Sequence, residues 1–158
     1  ALKQALSSGK LAACVLDVWC NEPRIDAELL RMVQLGTPHI AGYSVEGKLR
    51  GTQMIHDRLA VALGRKAVWD FRNHLPAPPP PIRVSSPLRF GELFSAVYDI
   101  RADDSALRNS IDNDDGSGFH RLRRTYRARR EFSAVRLAPE GLSEEERALL
   151  TALGFAMG

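Results

Sequence analysis

Cysteine is nearly absent: the 158 residues contain two, Cys14 and Cys20, with no histidine or further cysteine gathered around them. That spacing excludes a disulfide framework and the usual zinc-ligand sets, so no metal site is expected and both thiols are read as reduced, Cys14 within a core strand. No apolar run approaches the length a bilayer demands, and the opening ALKQALSSGK lacks the basic-then-apolar order of a secretion signal. The expected location is the cytoplasm. No internal repeat is visible and no G-x-G-x-x-G occurs, so the usual phosphate-cradling turn of a dinucleotide-binding domain is missing from these residues. There is no initiating Met either: the first residues are helix formers up to Gly9 with no capping residue ahead of them, as if the chain opened inside a helix.

What is present has the make-up of a folded globular chain, 44% apolar and 26% charged, long enough for one ordinary domain or two small ones. A net charge of +3 raises the question of a polyanionic partner, but the excess lies in residues 1–75, with 10 Lys+Arg against 7 Asp+Glu. Residues 76–158 balance at 12 against 12, although they hold RLRRTYRARR, six arginines in ten residues. Phosphate contacts by these arginines with Tyr126 stacked on a base would make a nucleic-acid interface. The neutral surroundings, the aspartates at 103, 104, 112, 114 and 115, and the absence of a helix-turn-helix, KH or RRM signature argue against it. All twelve cations after residue 75 are Arg, which favours ordered pairing with carboxylates at a protein interface, and a homodimer is expected; no membrane partner is.

Along the chain, the near-continuous apolar run Leu11–Val18 reads as a strand covered on both faces in a parallel α/β sheet, with Asp17 near its carboxyl end. A short helix over 25–33 starts with Asp26 and Glu28 at its positive end, and residues 39–41 read as a very short strand. From Val45 to about Arg65 the apolar spacing predicts a long amphipathic helix, in which Gly47 and Gly51 are expected to be offset by close packing. LPAPPPP at 75–81 is a stiff strap between regions. Beyond it come a strand from Ile82, a helix over 90–98, a short turn capped at 103–105, a polar loop over 109–118 and a helix over 119–130 with Phe119, Leu122 and Tyr126 on one face. A half-buried strand over 131–137, a helix from Ser143 with Glu146 completing a capping box, and a last strand at 155–157 follow.

His39 stands at the exit of a short apolar run between turn residues, where an imidazole can meet a substrate and exchange a proton near neutral pH. Glu22, seventeen residues earlier and followed by Pro23, is the carboxylate able to orient it.

The segments carrying these residues, LDVWCNEP and GTPHIAGYSVEGKLRGT, resemble the end of the catalytic core of the D-isomer-specific 2-hydroxyacid dehydrogenases. The EGK.RGT continuation, with VYDIRADDSALR and FHRLRRTYRARREFSAV later on, resembles a narrower branch of that family that has a C-terminal dimerisation domain and takes a phosphorylated sugar acid in vitamin B6 synthesis. The resemblance implies an α/β fold: residues 1–75 as the C-terminal portion of a Rossmann-type NAD-binding region with its return helix, then residues 76–158 as a small α+β dimerisation domain behind a Pro-rich linker at 76–81. It implies NAD as cofactor, His39 and Glu22 as the acid/base pair, Asp17 and Gly42 at the cofactor and Tyr43 at the substrate. One of the arginines at 121–130 is a candidate for reaching the substrate phosphate across a dimer. Cys20-Asn21 departs from the more acidic or Gly-containing pair expected before Glu22, and the family's catalytic arginine has no match. These residues alone should therefore be inactive, and the alternative is a non-catalytic dimerisation or scaffold module.

Overall fold

In chain order the elements are α1 (Leu2–Ser7), β1 (Val15–Leu16), α2 (Ala27–Met32), β2 (Leu35–Gly36), α3 (Val45–Ala62), β3 (Ile82–Ser85), α4 (Phe90–Val97), α5 (Ile100–Ser110), α6 (Ser117–Arg124), β4 (Arg136–Glu140), α7 (Glu144–Ala152) and β5 (Ala156–Met157). The structure, a computed structural model, describes residues 1–111, 115–127 and 129–158. Among the described residues it is mixed α/β with two small sheets, both parallel. Two compact units form, Ala1–Gly42 with Asp99–Arg127, and Tyr43–Tyr98 with Ala128–Gly158. Neither unit divides from the other at the prolines. Among the described residues no helix is long and apolar enough to cross a membrane.

The first unit buries Trp19, Leu30, Val33, Leu107 and Phe119 together, with the half-buried Cys14 packed against them. Asp26 caps α2 by accepting from the N–H groups of Glu28 and Leu29 at 2.9 and 3.1 Å, closing donors that a helix start leaves open. Between α5 and α6 the backbones nearly touch: a Cβ on Gly118 would lie 2.5 Å from the Ser110 carbonyl oxygen, so only glycine fits. The sheet here is smaller than the apolar run suggests. β1 and β2 pair over two residues, and Leu11, Val15 and Val18 are exposed, because a strand with one short neighbour has nothing to cover its second face.

In the second unit, Val84, Leu93, Val135, Leu137, Leu142, Leu150 and Phe155 form the core under the sheet β3-β4-β5. α7 carries the chain from β4 to its parallel neighbour β5, and its start has the full capping box of Ser143 and Glu146, the latter being the last of three successive glutamates in the first turn. α3 is long but buries only Glu46 and Ala60, while Met54, Ile55, Leu59 and Val61 are exposed. A Cβ at Gly51 would meet nothing within 4 Å, so the close packing expected there is absent.

Four more expectations change. Residues 39–41 are not a strand; the ladder falls at Leu35–Gly36 instead. The turn expected at 103–107 is an eleven-residue helix, α5, capped by Asp99 rather than by Asp103 or Asp104, whose carboxylates bond elsewhere. The arginine-rich helix stops at Arg124: Tyr126 leaves its axis to bond Asp103, and Arg129 pairs with Ser44 in the second unit. The strand expected at 131–137 begins at Arg136, after a 3-10 turn over Phe132–Ala134. Of the loop expected at 109–118, residues 112–114, including Asp112 and Asp114, lie outside the described residues.

Candidate active site

Parallel pairing places Leu16 opposite Gly36, so the segments leaving β1 and β2 emerge on the same side, where open α/β sheets present their ligands. Thr37 N–H donates to the Leu16 carbonyl at 2.9 Å and Thr37 Oγ1 to Asp17 Oδ1 at 2.6 Å. The same carboxylate accepts from Ile40 N–H at 2.8 Å and Ala41 N–H at 3.0 Å. Asp17 therefore knits the 37–41 turn into a fixed shape around its two oxygens.

That turn carries His39, whose backbone is left-handed at φ 53°. Asn21, on the facing loop, is left-handed as well at φ 61°. Asparagine is among the few residues that tolerate this region, which answers how the loop turns without the glycine expected there. Glu22 is then set between two partners. Oε1 accepts from Trp19 N–H at 2.8 Å, and Oε2 lies 2.8 Å from His39 Nδ1. Trp19, buried in the first unit's core, also donates its indole N–H to the Thr37 carbonyl at 2.9 Å. Glu22 is 18% exposed against 44% for His39, so the carboxylate sits inward and the imidazole faces out.

Glu22 and His39 are thus brought together, and Asp17 is brought to the backbone of the histidine's own turn. Gly42 is exposed, with open space where a Cβ would stand. Tyr43 begins the second unit, half-buried, with Lys48 Nζ 4.1 Å from its ring centroid. Sequence reasoning missed the support. Thr37 and Trp19 lie inside the quoted segments but show no pattern there. Asp104, which takes the Gly36 N–H at 2.7 Å, is 68 residues away and carries no local signal. Among the described residues no three His, Cys, Asp or Glu side chains gather closely enough to hold a metal.

A carboxylate on one ring nitrogen leaves the other free to take or give a proton, the arrangement of a general acid/base. Comparison with known proteins bears on which reaction. A protein of Yersinia enterocolitica named erythronate-4-phosphate dehydrogenase is 39% identical over 99% of this chain, and one of the same name from Serratia proteamaculans is 41% identical over 98%. The chain is a relative of the erythronate-4-phosphate dehydrogenases. It spans about two-fifths of their length, 42% in both cases. A third, from Edwardsiella ictaluri, is 40% identical over 98% of the chain and matched over 41% of its own length. Residues 86–154 also match a family described as a domain of unknown function, DUF3410.

Proposed function

We propose that this chain is the C-terminal part of an NAD-dependent dehydrogenase that oxidises the 2-hydroxyl of 4-phospho-D-erythronate to the 2-oxo acid, in vitamin B6 synthesis. The observation that carries the reading is the 2.8 Å contact between His39 Nδ1 and Glu22 Oε2, made by two residues 17 apart on loops leaving neighbouring parallel strands. With Glu22 accepting at Nδ1, His39 Nε2 is the base: it takes the hydroxyl proton as the C2 hydrogen departs with its electron pair. Glu22 stabilises the imidazolium so formed and holds the ring against rotation, an arrangement worth about 100- to 10,000-fold in rate. NAD, when bound, supplies the acceptor for that hydride.

The residues fit this cofactor in part. Gly42 leaves room for a flat ring to approach the backbone, and we assign it with Asp17 to the nicotinamide end. Asp17 serves its neighbours first, since it orders the turn that aims His39. A glycine-rich turn and a catalytic arginine find no match in these residues, so on this reading the 158 residues alone are inactive. The exposed apolar row of α3 supports a return helix covered by a further domain. Residues 76–158 are assigned to homodimerisation and Tyr43 to substrate contact.

The test is NADH formation by the full-length polypeptide with erythronate 4-phosphate. Wild type is expected to turn over and His39→Gln to lose at least about 100-fold in kcat; a His39→Gln variant as fast as wild type refutes the assignment.

A further inference from the structure

The run RLRRTYRARR does not act as one block. Arg123 lies over the buried Phe119 ring at 6.0 Å, Arg129 lies over the Tyr98 ring at 4.4 Å, and Arg130 is held by Glu46. Arg121 and Arg124 differ: both are exposed, and among the described residues neither they nor His120 is paired with a carboxylate. Spaced at i, i+3, i+4 and i+7, Ser117, His120, Arg121 and Arg124 share one face of α6, and they line a recess of about 410 Å³. All four belong to the first unit, as do Glu22 and His39. The helix starts against the loop that carries Glu22: Gly116, just ahead of α6, packs so tightly on Pro23 that a Cβ there would lie 2.6 Å from Pro23 Cγ.

We propose that this recess binds a phosphate monoester, with the guanidiniums of Arg121 and Arg124 as its counter-charges and His120 as a further donor. The choice of a phosphate monoester among small anions rests on the reading above, whose substrate carries one. A guanidinium presents paired N–H donors matched to phosphate oxygens, and two of them roughly one helical turn apart balance a dianion. Ser117 is already engaged: its N–H donates to Asp115 Oδ1 at 2.9 Å, its hydroxyl also bonds that carboxylate, and Arg24 offsets the charge of Asp115 in turn. The backbone beneath the recess is fixed beforehand, because the other side of α6 buries Phe119 and sets Gly118 against Ser110, so binding has only side chains to order. Eight helical residues span about 12 Å, which suits one small anion better than the backbone of a nucleic acid. The monoester is either the substrate's own or that of a separate small ligand, and both present the same chemistry to these residues.

The experiment uses the full-length polypeptide as wild type, as the double variant Arg121→Gln with Arg124→Gln, as the same pair changed to Lys, and as Arg101→Gln. Arg101 is an exposed arginine of the same unit that does not line the recess. The side chains changed are exposed, so the variants should fold, and circular dichroism checks that they do. Inorganic phosphate is titrated by calorimetry at fixed ionic strength, with and without saturating erythronate 4-phosphate, and kcat/KM is measured for erythronate 4-phosphate and for erythronate. The Gln pair should bind inorganic phosphate at least about tenfold more weakly, the Lys pair should recover part of that loss, and Arg101→Gln should match wild type. If the monoester is the substrate's own, erythronate 4-phosphate displaces inorganic phosphate, and the Gln pair lowers the kcat/KM preference for phosphorylated over plain acid about tenfold as well. If it belongs to a separate ligand, inorganic phosphate binds alongside saturating erythronate 4-phosphate and that preference is kept. A wild type that binds no inorganic phosphate, an affinity unchanged in the Gln pair, or an equal loss in Arg101→Gln overturns the proposal while the dehydrogenase reading stands. A wild type that oxidises neither acid, but whose phosphate binding is lost in the Gln pair, overturns that reading and leaves the recess as a phosphate site.

Discussion

Both units are closed by an arginine that reaches across some eighty residues of chain, but they use it differently. In the first, Arg108 donates to the carbonyls of Leu30 and Val33 at 2.7 and 3.1 Å at the end of α2, while Asp104, one turn earlier on the same helix, holds the guanidinium and takes the Gly36 N–H. In the second, the ion pair is itself the cross-link. Arg130 Nε meets Glu46 Oε1 at 2.6 Å, its Nη1 donates to the Ala77 carbonyl at 2.9 Å, and Glu46 Oε2 accepts from Glu131 N–H at 3.0 Å. Glu46 is 3% exposed and Asp104 13%. Remove the carboxylate from the first and an arginine 31% exposed keeps both its carbonyls; remove it from the second and an arginine 16% exposed loses its ion pair, keeping carbonyls on Nη1 alone, while the Glu131 N–H loses its acceptor. The arginines expected to serve an interface between chains are here partly engaged within one.

The sharpest way to break the comparison is to delete each carboxylate. Glu46→Ala should cost about 3–5 kcal/mol by urea denaturation, the penalty for one half of a buried pair. Asp104→Asn should cost about 1–2 kcal/mol, since one charge-assisted bond is weakened and the carbonyl contacts persist. Equal costs would mean that both units are tied alike.

Acid should act in the same order. Burial pushes the Glu46 carboxyl up, but the Arg130 guanidinium and the Glu131 N–H outweigh it and hold the group below the usual glutamate range. Asp104 is likewise opposed by burial and held low by Arg108 and the Gly36 N–H. A carboxyl whose pKa is lowered on folding contributes stability that is present above its unfolded pKa and lost as pH falls through its folded one. The urea midpoint should therefore drop below about pH 4, and Glu46→Ala should flatten that drop more than Asp104→Asn does. The smallest effect serves as a control within the second unit. Ser143→Ala removes the α7 cap, which involves no arginine, and should cost about 1 kcal/mol with α7 amides exchanging faster than the rest.

How much of this was legible follows from range. The α7 capping box, the strand at Ile82 and the helix from Phe90 are written in neighbouring residues and fold as read. The closeness of Glu22 and His39 follows from which loops leave which strands. The arginine pairs do not: the helical pattern of 119–130 continues past Arg124 because arginine is a good helix former, and what ends the helix is the pull of Asp103 on Tyr126 and of residues 44–46 on Arg129 and Arg130. α5 was hidden for the opposite reason, its aspartates and serine reading locally as a turn.

On the proposed chemistry His39 and Glu22 work as one group, and a double-mutant cycle in the full-length polypeptide measures that directly. Glu22→Gln, His39→Gln and the double variant are compared in kcat for NAD-linked oxidation of erythronate 4-phosphate. The predicted result is a double variant no slower than His39→Gln alone, because the carboxylate acts only through the imidazole. Losses that multiply would show two independent residues and contradict the account.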